Sequence, residues 1–255
     1  MTGFRSNSAA RFDPLQSPPA AWPEPAGAQA VIFGLLVSTG ETPELSALSN
    51  LVDEQTLRDA KEVAALVESW HSVHAIAMID LAIPALRRLT PEEYQRFTGI
   101  LEAIITSDRQ IDLFEFMLQR LLRRHLDRWF HQSPPGRMQY RTFQQLIPQL
   151  EILLTAMSGV GARTPDQAAA ALAAGQSILA EHGVYLKLQA RPGSLEEISA
   201  ALEQFDAATP LIKKQLLIAC VAVAKGDGDI ASEEAEMLRA VADTIGCPMP
   251  PLLTV

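Results

Sequence analysis

The sequence predicts an all-α fold. Apolar side chains recur at intervals of three and four residues, as at Phe114 and Leu118, which is the spacing of one face of a helix. Helix-start signals recur as well, because a hydroxyl residue is followed three residues later by Glu or Gln in segments 90–93, 164–167 and 194–197. No segment alternates apolar and polar residues over the length of a strand. We therefore expect about ten helices.

Residues 1–27 differ in composition from the rest of the chain. They contain five of the 17 prolines, and proline both lacks an N–H donor and pushes the residue before it out of the α region. We expect an extended, Pro-rich arm or linker here. Residues 28–255 would form the helical domain. The Pro- and Gly-containing break at 133–137 divides this domain into two halves, at about 28–132 and 138–255.

Composition limits the classes of function. The 255-residue chain has 21 Lys and Arg against 30 Asp and Glu, a net charge of −9, whereas a non-specific nucleic-acid binder needs a surplus of cations. The apolar runs at 30–37 and 216–224 are far shorter than the roughly 20 residues of a membrane span. The two cysteines, Cys220 and Cys247, suit a reducing compartment and structural roles. We expect a cytoplasmic protein with no transmembrane segment and no nucleic-acid partner.

An internal repeat is the most informative feature of the sequence. When the two copies are aligned without gaps, Asp108 meets Asp227 and Glu115 meets Glu234, so that each copy has the form Asp-x-x-Ile-x-x-x-Glu. An apolar helix precedes each copy and another follows it. In physical terms this is a helix, a tight turn and a second helix, with the Glu in the first turn of the second helix, where the helix dipole favours an anion.

The better copy of the repeat matches the second half of an EF-hand calcium loop. The first half is absent, because Val223 and Lys225 stand where a calcium loop needs oxygen ligands. We therefore exclude an ordinary EF-hand. Helix capping alone also accounts for every residue type in the acidic turn 227–234, since Asp-Gly favours a turn and Ser-Glu-Glu favours a helix start.

The pair of acidic turns resembles the TerB-like (tellurite-resistance) helical domain. In that family two such turns meet in space, and their acidic residues are proposed to bind a divalent metal ion. The resemblance therefore implies a TerB-like helical domain in two related halves with a divalent cation as its possible cofactor. Arg109 stands in the weaker copy where the better copy has a turn glycine. The positions that match the family's acidic residues are Asp227, Asp229, Glu233, Glu234, Asp108 and Glu115.

A wider resemblance covers most of the chain. Segments 107–115, 121–126 and 233–253 look like the C-terminal region that follows the catalytic domain in membrane-embedded, HtpX-like zinc metallopeptidases of bacteria, and residues 10–14 resemble the junction after that domain. The resemblance implies a protein partner, namely the metallopeptidase domain in cis or its clients. It also implies a location at the cytoplasmic face of the inner membrane.

The zinc motif of those peptidases is missing from this chain. Their His-Glu-x-x-His holds zinc with two histidines one helical turn apart and uses the glutamate as general base. None of the five histidines lies in such a motif, so we expect no enzyme activity. We predict a non-catalytic accessory or regulatory interaction module. The alternative is a TerB-like stress-response module that binds a divalent metal at the acidic turns.

A basic stripe on one predicted helix offers a candidate interaction surface. Its members are three or four residues apart and so share a helix face. One interpretation is a dock for an acidic partner or for membrane headgroups. The other is a solvated face with ordinary ion pairs, and the sequence leaves both open. The arginines are Arg120, Arg123, Arg124 and Arg128.

Overall fold

The described part of the chain is built from helices. A computed structural model describes residues 23–37, 42–70, 75–107, 113–131, 138–186, 193–226, 228 and 230–247. Within these residues there are eleven α-helices, one 3-10 helix and no strand, which confirms the all-α fold class. The α-helices are α1 (Pro25–Leu36), α2 (Pro43–Ser49), α3 (Glu54–Trp70), α4 (Ala75–Leu86), α5 (Pro91–Ile105), α6 (Leu113–Phe130), α7 (Ile147–Gly159), α8 (Pro165–Ala180), α9 (Leu195–Asp206), α10 (Pro210–Ala224) and α11 (Ser232–Thr244).

Reciprocal capping boxes start three helices where the sequence predicts them. At α5 the Glu93 carboxylate accepts the Thr90 N–H at 2.8 Å, and the Thr90 hydroxyl accepts the Glu93 N–H at 3.2 Å. The same pairing begins α8 and α9. Each box satisfies backbone donors that have no partner within the helix. Helix α1 begins at Pro25, just before the predicted boundary, because proline suits the first turn of a helix; residues 1–22 of the predicted arm lie outside the described part.

Each half of the chain contains a helix pair in close contact through a glycine. In the first half α1 packs on α3 and α4, and a Cβ on Gly34 would lie 2.5 Å from the Val63 Cβ. In the second half α8 packs on α10, and a Cβ on Gly175 would lie 2.5 Å from Val223 Cγ2. Only glycine allows the two backbones to approach this closely.

Helix α11 lies at the centre of the fold. It contacts α6 and α4 of the first half as well as α7, α9 and α10 of the second. Every residue from Glu234 to Thr244 is buried. The two helices that follow the repeated turns, α6 and α11, therefore pack on each other. The core formed around them is continuous across both halves.

A membrane-spanning helix is not found among the described residues, because no helix there combines sufficient length with sufficient apolarity. A short parallel bridge between Tyr140 and Ala208 is the β-type pairing that the described residues contain. In this bridge the Tyr140 carbonyl accepts the Thr209 N–H at 3.0 Å. The bridge ties the segment that enters the second half to the turn between α9 and α10.

Candidate functional site

The predicted basic stripe lines a groove between the two halves. Helix periodicity places its four arginines on one side of α6, facing α9 and the end of α11. The groove has a volume of about 450 Å³. We call it the arginine groove and define it by Arg120, Arg123, Arg124, Asp127 and Arg128 of α6, Ser199, Glu203 and Asp206 of α9, and Thr244 of α11.

One carboxylate in the arginine groove is shared by three cations. Asp206 lies 2.9 Å from Arg124, 3.3 Å from Arg128 and 3.5 Å from Lys213. Burial alone would raise the pKa of Asp206, but the hydrogen bond from Arg124 and the three positive charges together hold this pKa below its usual value. The Asp206 carboxylate is therefore ionised at neutral pH, and it neutralises one of three positive charges.

Arg120 is held more deeply than Arg123 and Arg128. Its guanidinium donates to the Ser199 hydroxyl and lies 3.3 Å from the Glu203 carboxylate. Its side chain is 18% exposed, whereas that of Glu203 is 68% exposed. Burial lowers the pKa of Arg120 more than Glu203 raises it, and the charges of Arg123 and Arg124 lower it further. The N–H at Arg120 Nε is buried and finds no acceptor within the described part of the chain.

Arg123 is the least engaged arginine of the groove. Its side chain is exposed, and within the described residues it forms neither an ion pair nor a side-chain hydrogen bond. The neighbouring Asp127 is already engaged, because it accepts the Tyr94 hydroxyl at 2.5 Å and lies 3.8 Å from His131. Arg123 therefore adds a positive charge that no carboxylate of the groove pairs with directly.

The carboxyl end of α11 closes the groove. Arg124 donates to the Thr244 carbonyl at 2.7 Å, and Lys213 donates to the Ile245 carbonyl at 2.6 Å. These carbonyls lack partners within the helix, and cations are favoured at this end of the helix dipole. Gly246 follows with φ of +76° and completes a Schellman motif, in which the N–H of Cys247 donates to the Ala242 carbonyl at 2.8 Å.

A second polar cluster joins α11 to the first half. The Glu236 carboxylate accepts the Ile76 N–H at 2.8 Å, at the start of α4. Arg239 lies 3.3 Å from Glu236 and 3.4 Å from Asp80, and His125 of α6 lies 2.5 Å from Asp243. Burial raises the pKa of Glu236 to about 7, although the Ile76 N–H and Arg239 both act to lower it. This cluster holds the two halves together.

The predicted metal ligands fall into two sets. Asp108, Asp227 and Asp229 lie outside the described residues. Glu234 is buried, and its carboxylate accepts the Ala231 N–H at 2.8 Å at the start of α11. Glu233 is exposed and Glu115 is half-buried. In the part of the chain that the structure describes, no three His, Cys, Asp or Glu residues lie close enough together to hold a metal ion.

The cysteines lie in different environments. Cys220 is buried in α10, and burial raises the pKa of its thiol to about 12. The thiol is therefore un-ionised at neutral pH and is not a nucleophile. Cys247 is half-buried beyond the end of α11.

The partners of the arginines were not among the candidates from the sequence. Ser199, Glu203 and Asp206 follow one another at intervals of four and three residues, so they share one face of α9. That spacing is the signal that could have marked an α9 face complementary to the basic stripe. Nothing in the sequence shows that this face of α9 lies against α6.

Comparison of the chain with protein-family models, with curated proteins and with solved structures gave no match. The relationship to the TerB-like and HtpX-like families therefore stays a prediction.

Proposed function

We propose that this chain is a non-catalytic interaction module that docks an acidic segment of a protein partner in the arginine groove. The observation that carries the proposal is the excess of positive charge there. Arg124, Arg128 and Lys213 share the single carboxylate of Asp206, and Arg123 has no ion pair within the described residues. An acidic segment would neutralise this excess.

The negative charge of the whole chain favours binding of an acidic segment at the groove over binding elsewhere on the surface. The net charge is −9, so the chain as a whole repels an acidic partner at long range. A groove focuses the field of the charges that line it, which raises the rate of encounter and orients the partner. An acidic segment is therefore directed to this groove and away from the rest of the surface.

The lining of the groove supports a binding role rather than catalysis. Neither histidine nor cysteine is among the residues that line it in the described part of the chain. Its carboxylates at Glu203 and Asp206 are engaged in ion pairs with arginine, and the carboxylate of Asp127 accepts the Tyr94 hydroxyl, whereas a general base needs a free lone pair near the reacting proton.

The partner follows from the resemblance noted above. We propose a metallopeptidase domain in cis, or one of its client proteins, as the owner of the acidic segment. The same resemblance favours a location of the module at the cytoplasmic face of the inner membrane. The fold is compatible with such a role, because contacts of α11 with α4 and α6 join the two halves that the groove lies between.

The proposal is tested by calorimetric titration with a synthetic Asp- and Glu-rich peptide at low and high salt. We expect saturable binding that weakens with salt and falls at least tenfold in Arg123→Glu. The matched control is Arg58→Glu, since Arg58 is an exposed arginine of α3 outside the groove. Equal affinities for the parent chain and Arg123→Glu would contradict the proposal.

A further inference from the structure

We infer that the anchor of the acidic segment is a phosphoryl group, carried by a phosphorylated side chain of the partner and bound between Arg120 and Arg123. The inference rests on the proposed function and specifies the ligand of the same groove.

The charge of the groove matches a doubly charged anion. The four arginines and the three carboxylates of Asp127, Glu203 and Asp206 line the groove, and Lys213, which does not line it, adds a fifth positive charge through its ion pair with Asp206. The excess is therefore two positive charges. A phosphoryl monoester carries about −1.5 to −2 near pH 7, whereas one carboxylate carries a single negative charge.

The position of the excess charge selects Arg120 and Arg123. These residues are three apart on α6, so their side chains are neighbours on one helix face. Their like charges repel each other, and within the described residues no carboxylate forms an ion pair with Arg123. Arg128 is held by Asp206, which is 25% exposed, whereas the Glu203 carboxylate beside Arg120 is 68% exposed. An anion between Arg120 and Arg123 removes a repulsion that the protein alone does not neutralise.

The donors around this position suit a tetrahedral oxyanion. A guanidinium presents a planar fork of N–H donors that matches two phosphoryl oxygens, which an ammonium group does not. The Ser199 hydroxyl accepts from Arg120 and retains its own proton to donate. The Glu203 carboxylate is the acidic group beside Arg120, and its high exposure lets it swing into solvent when a stronger anion arrives.

The test compares three acidic hexapeptides that differ at one position, which is Ser, Glu or phosphoserine, by calorimetric titration. We expect the phosphoserine peptide to bind at least tenfold more tightly than the other two. Arg123→Lys retains the positive charge but loses the planar pair of guanidinium N–H donors, so this variant should lose most of the preference for phosphoserine. Arg58→Lys should retain it. Melting temperatures of all variants check that the fold is intact, which the exposure of Arg123 favours.

Each other result overturns the inference in a distinguishable way. Equal binding of the Glu and phosphoserine peptides would reject the phosphoryl anchor and retain the acidic-segment function. Failure of all three peptides to bind would reject both proposals. A third outcome is that none of the peptides binds, whereas vesicles containing phosphatidylglycerol bind the parent chain and not the Arg123 variant. This outcome would show that the ligand of the groove is a lipid headgroup and not a segment of a protein partner.

Discussion

Gly246 is a position where both the backbone and the surroundings exclude a side chain. Its φ of +76° lies in the left-handed region, and a Cβ there would lie 2.4 Å from Arg124 Nη2. That arginine holds the end of α11 and the Asp206 carboxylate together. The residue therefore couples the end of the central helix to the arginine groove.

Replacing Gly246 by alanine should lower the free energy of unfolding by about 2–3 kcal/mol, because left-handed strain adds to the loss of the contacts of Arg124 with the Thr244 carbonyl and Asp206. Gly183→Ala is the matched control, since Gly183 has φ of +72° and a Cβ there would meet no atom within 4 Å. It should cost only about 1 kcal/mol. Urea unfolding of both variants measures the difference, and equal losses would show that Arg124 yields without cost.

Glu236 gives the protein a dependence on pH. Its folded pKa is raised from 4.5 to about 7, so between these values the folded state holds a proton that the unfolded state releases. Stability therefore falls as pH rises through this window. Since one pKa unit is worth about 1.4 kcal/mol, we expect this residue to contribute a loss on the order of 2 kcal/mol between pH 5 and 7.5.

The measurement is urea unfolding of the parent chain and Glu236→Gln at pH 5 and 7.5. Glutamine keeps an oxygen to accept the Ile76 N–H but does not titrate. We expect the variant to lack most of the decline that the parent shows. A variant with the same decline would assign the pH dependence to other groups.

At the scale of elements, the pair α1 and α3 depends on Gly34. A Cβ there would meet the Val63 Cβ at 2.5 Å and the Ala60 carbonyl at 2.6 Å. We expect Gly34→Ala to destabilise the protein by about 1–3 kcal/mol, because overpacking exceeds the gain in helix propensity. Gly99→Ala should instead stabilise by about 0.5–1 kcal/mol, since that helical position is open. Chemical denaturation of the two variants should give shifts of opposite sign.

Divalent-metal binding by the acidic turns can be tested by thermal unfolding. The Glu234 carboxylate caps its own helix, so we expect the melting temperature after EDTA treatment to stay unchanged when millimolar calcium, magnesium or zinc is added. A saturable rise of several degrees that Asp227→Asn abolishes would instead establish a metal site.

The helix starts were predictable from the sequence, and the position of α11 was not. A capping box such as Thr90 with Glu93 is a local pattern, so four residues suffice to recognise it. In α11, by contrast, Glu236, Arg239 and Asp243 form a polar stripe that favours a solvent-facing surface. They are buried because their partners lie on α4 and α6, far away in the sequence.

The same reason limits what the sequence shows of the candidate site. The clustering of Arg120 and Arg124 follows from helix periodicity alone. Their pairing with Glu203 and Asp206 is a tertiary contact between distant segments. The excess charge of the groove depends on that pairing, so it could not be counted before the fold was known.

The molecule as a whole should unfold in one transition. Helix α11 contacts helices of both halves, so neither half keeps its core when the other is lost. The three tryptophans, at positions 22, 70 and 129, all precede the second half. Trp129 donates to the Arg87 carbonyl within the first half, so tryptophan fluorescence includes a reporter of that half, whereas far-UV circular dichroism reports on both halves, and we expect coincident curves.

A substitution in α11 tests whether the two halves unfold together. Leu238 is fully buried, and Leu238→Ala should cost about 2–5 kcal/mol while both signals shift together. Leu211→Ala, at an exposed leucine of α10, should leave the transition in place. Separated curves for Leu238→Ala would show that the halves unfold independently.

The central position of α11 also bears on how the protein is made. A ribosome synthesises the chain from its amino terminus, so the other ten described α-helices leave the exit tunnel before α11. During that interval the apolar faces of α4 and α6 that α11 covers are exposed to water. We therefore expect the core to close only after α11 has emerged, because α11 contacts helices of both halves.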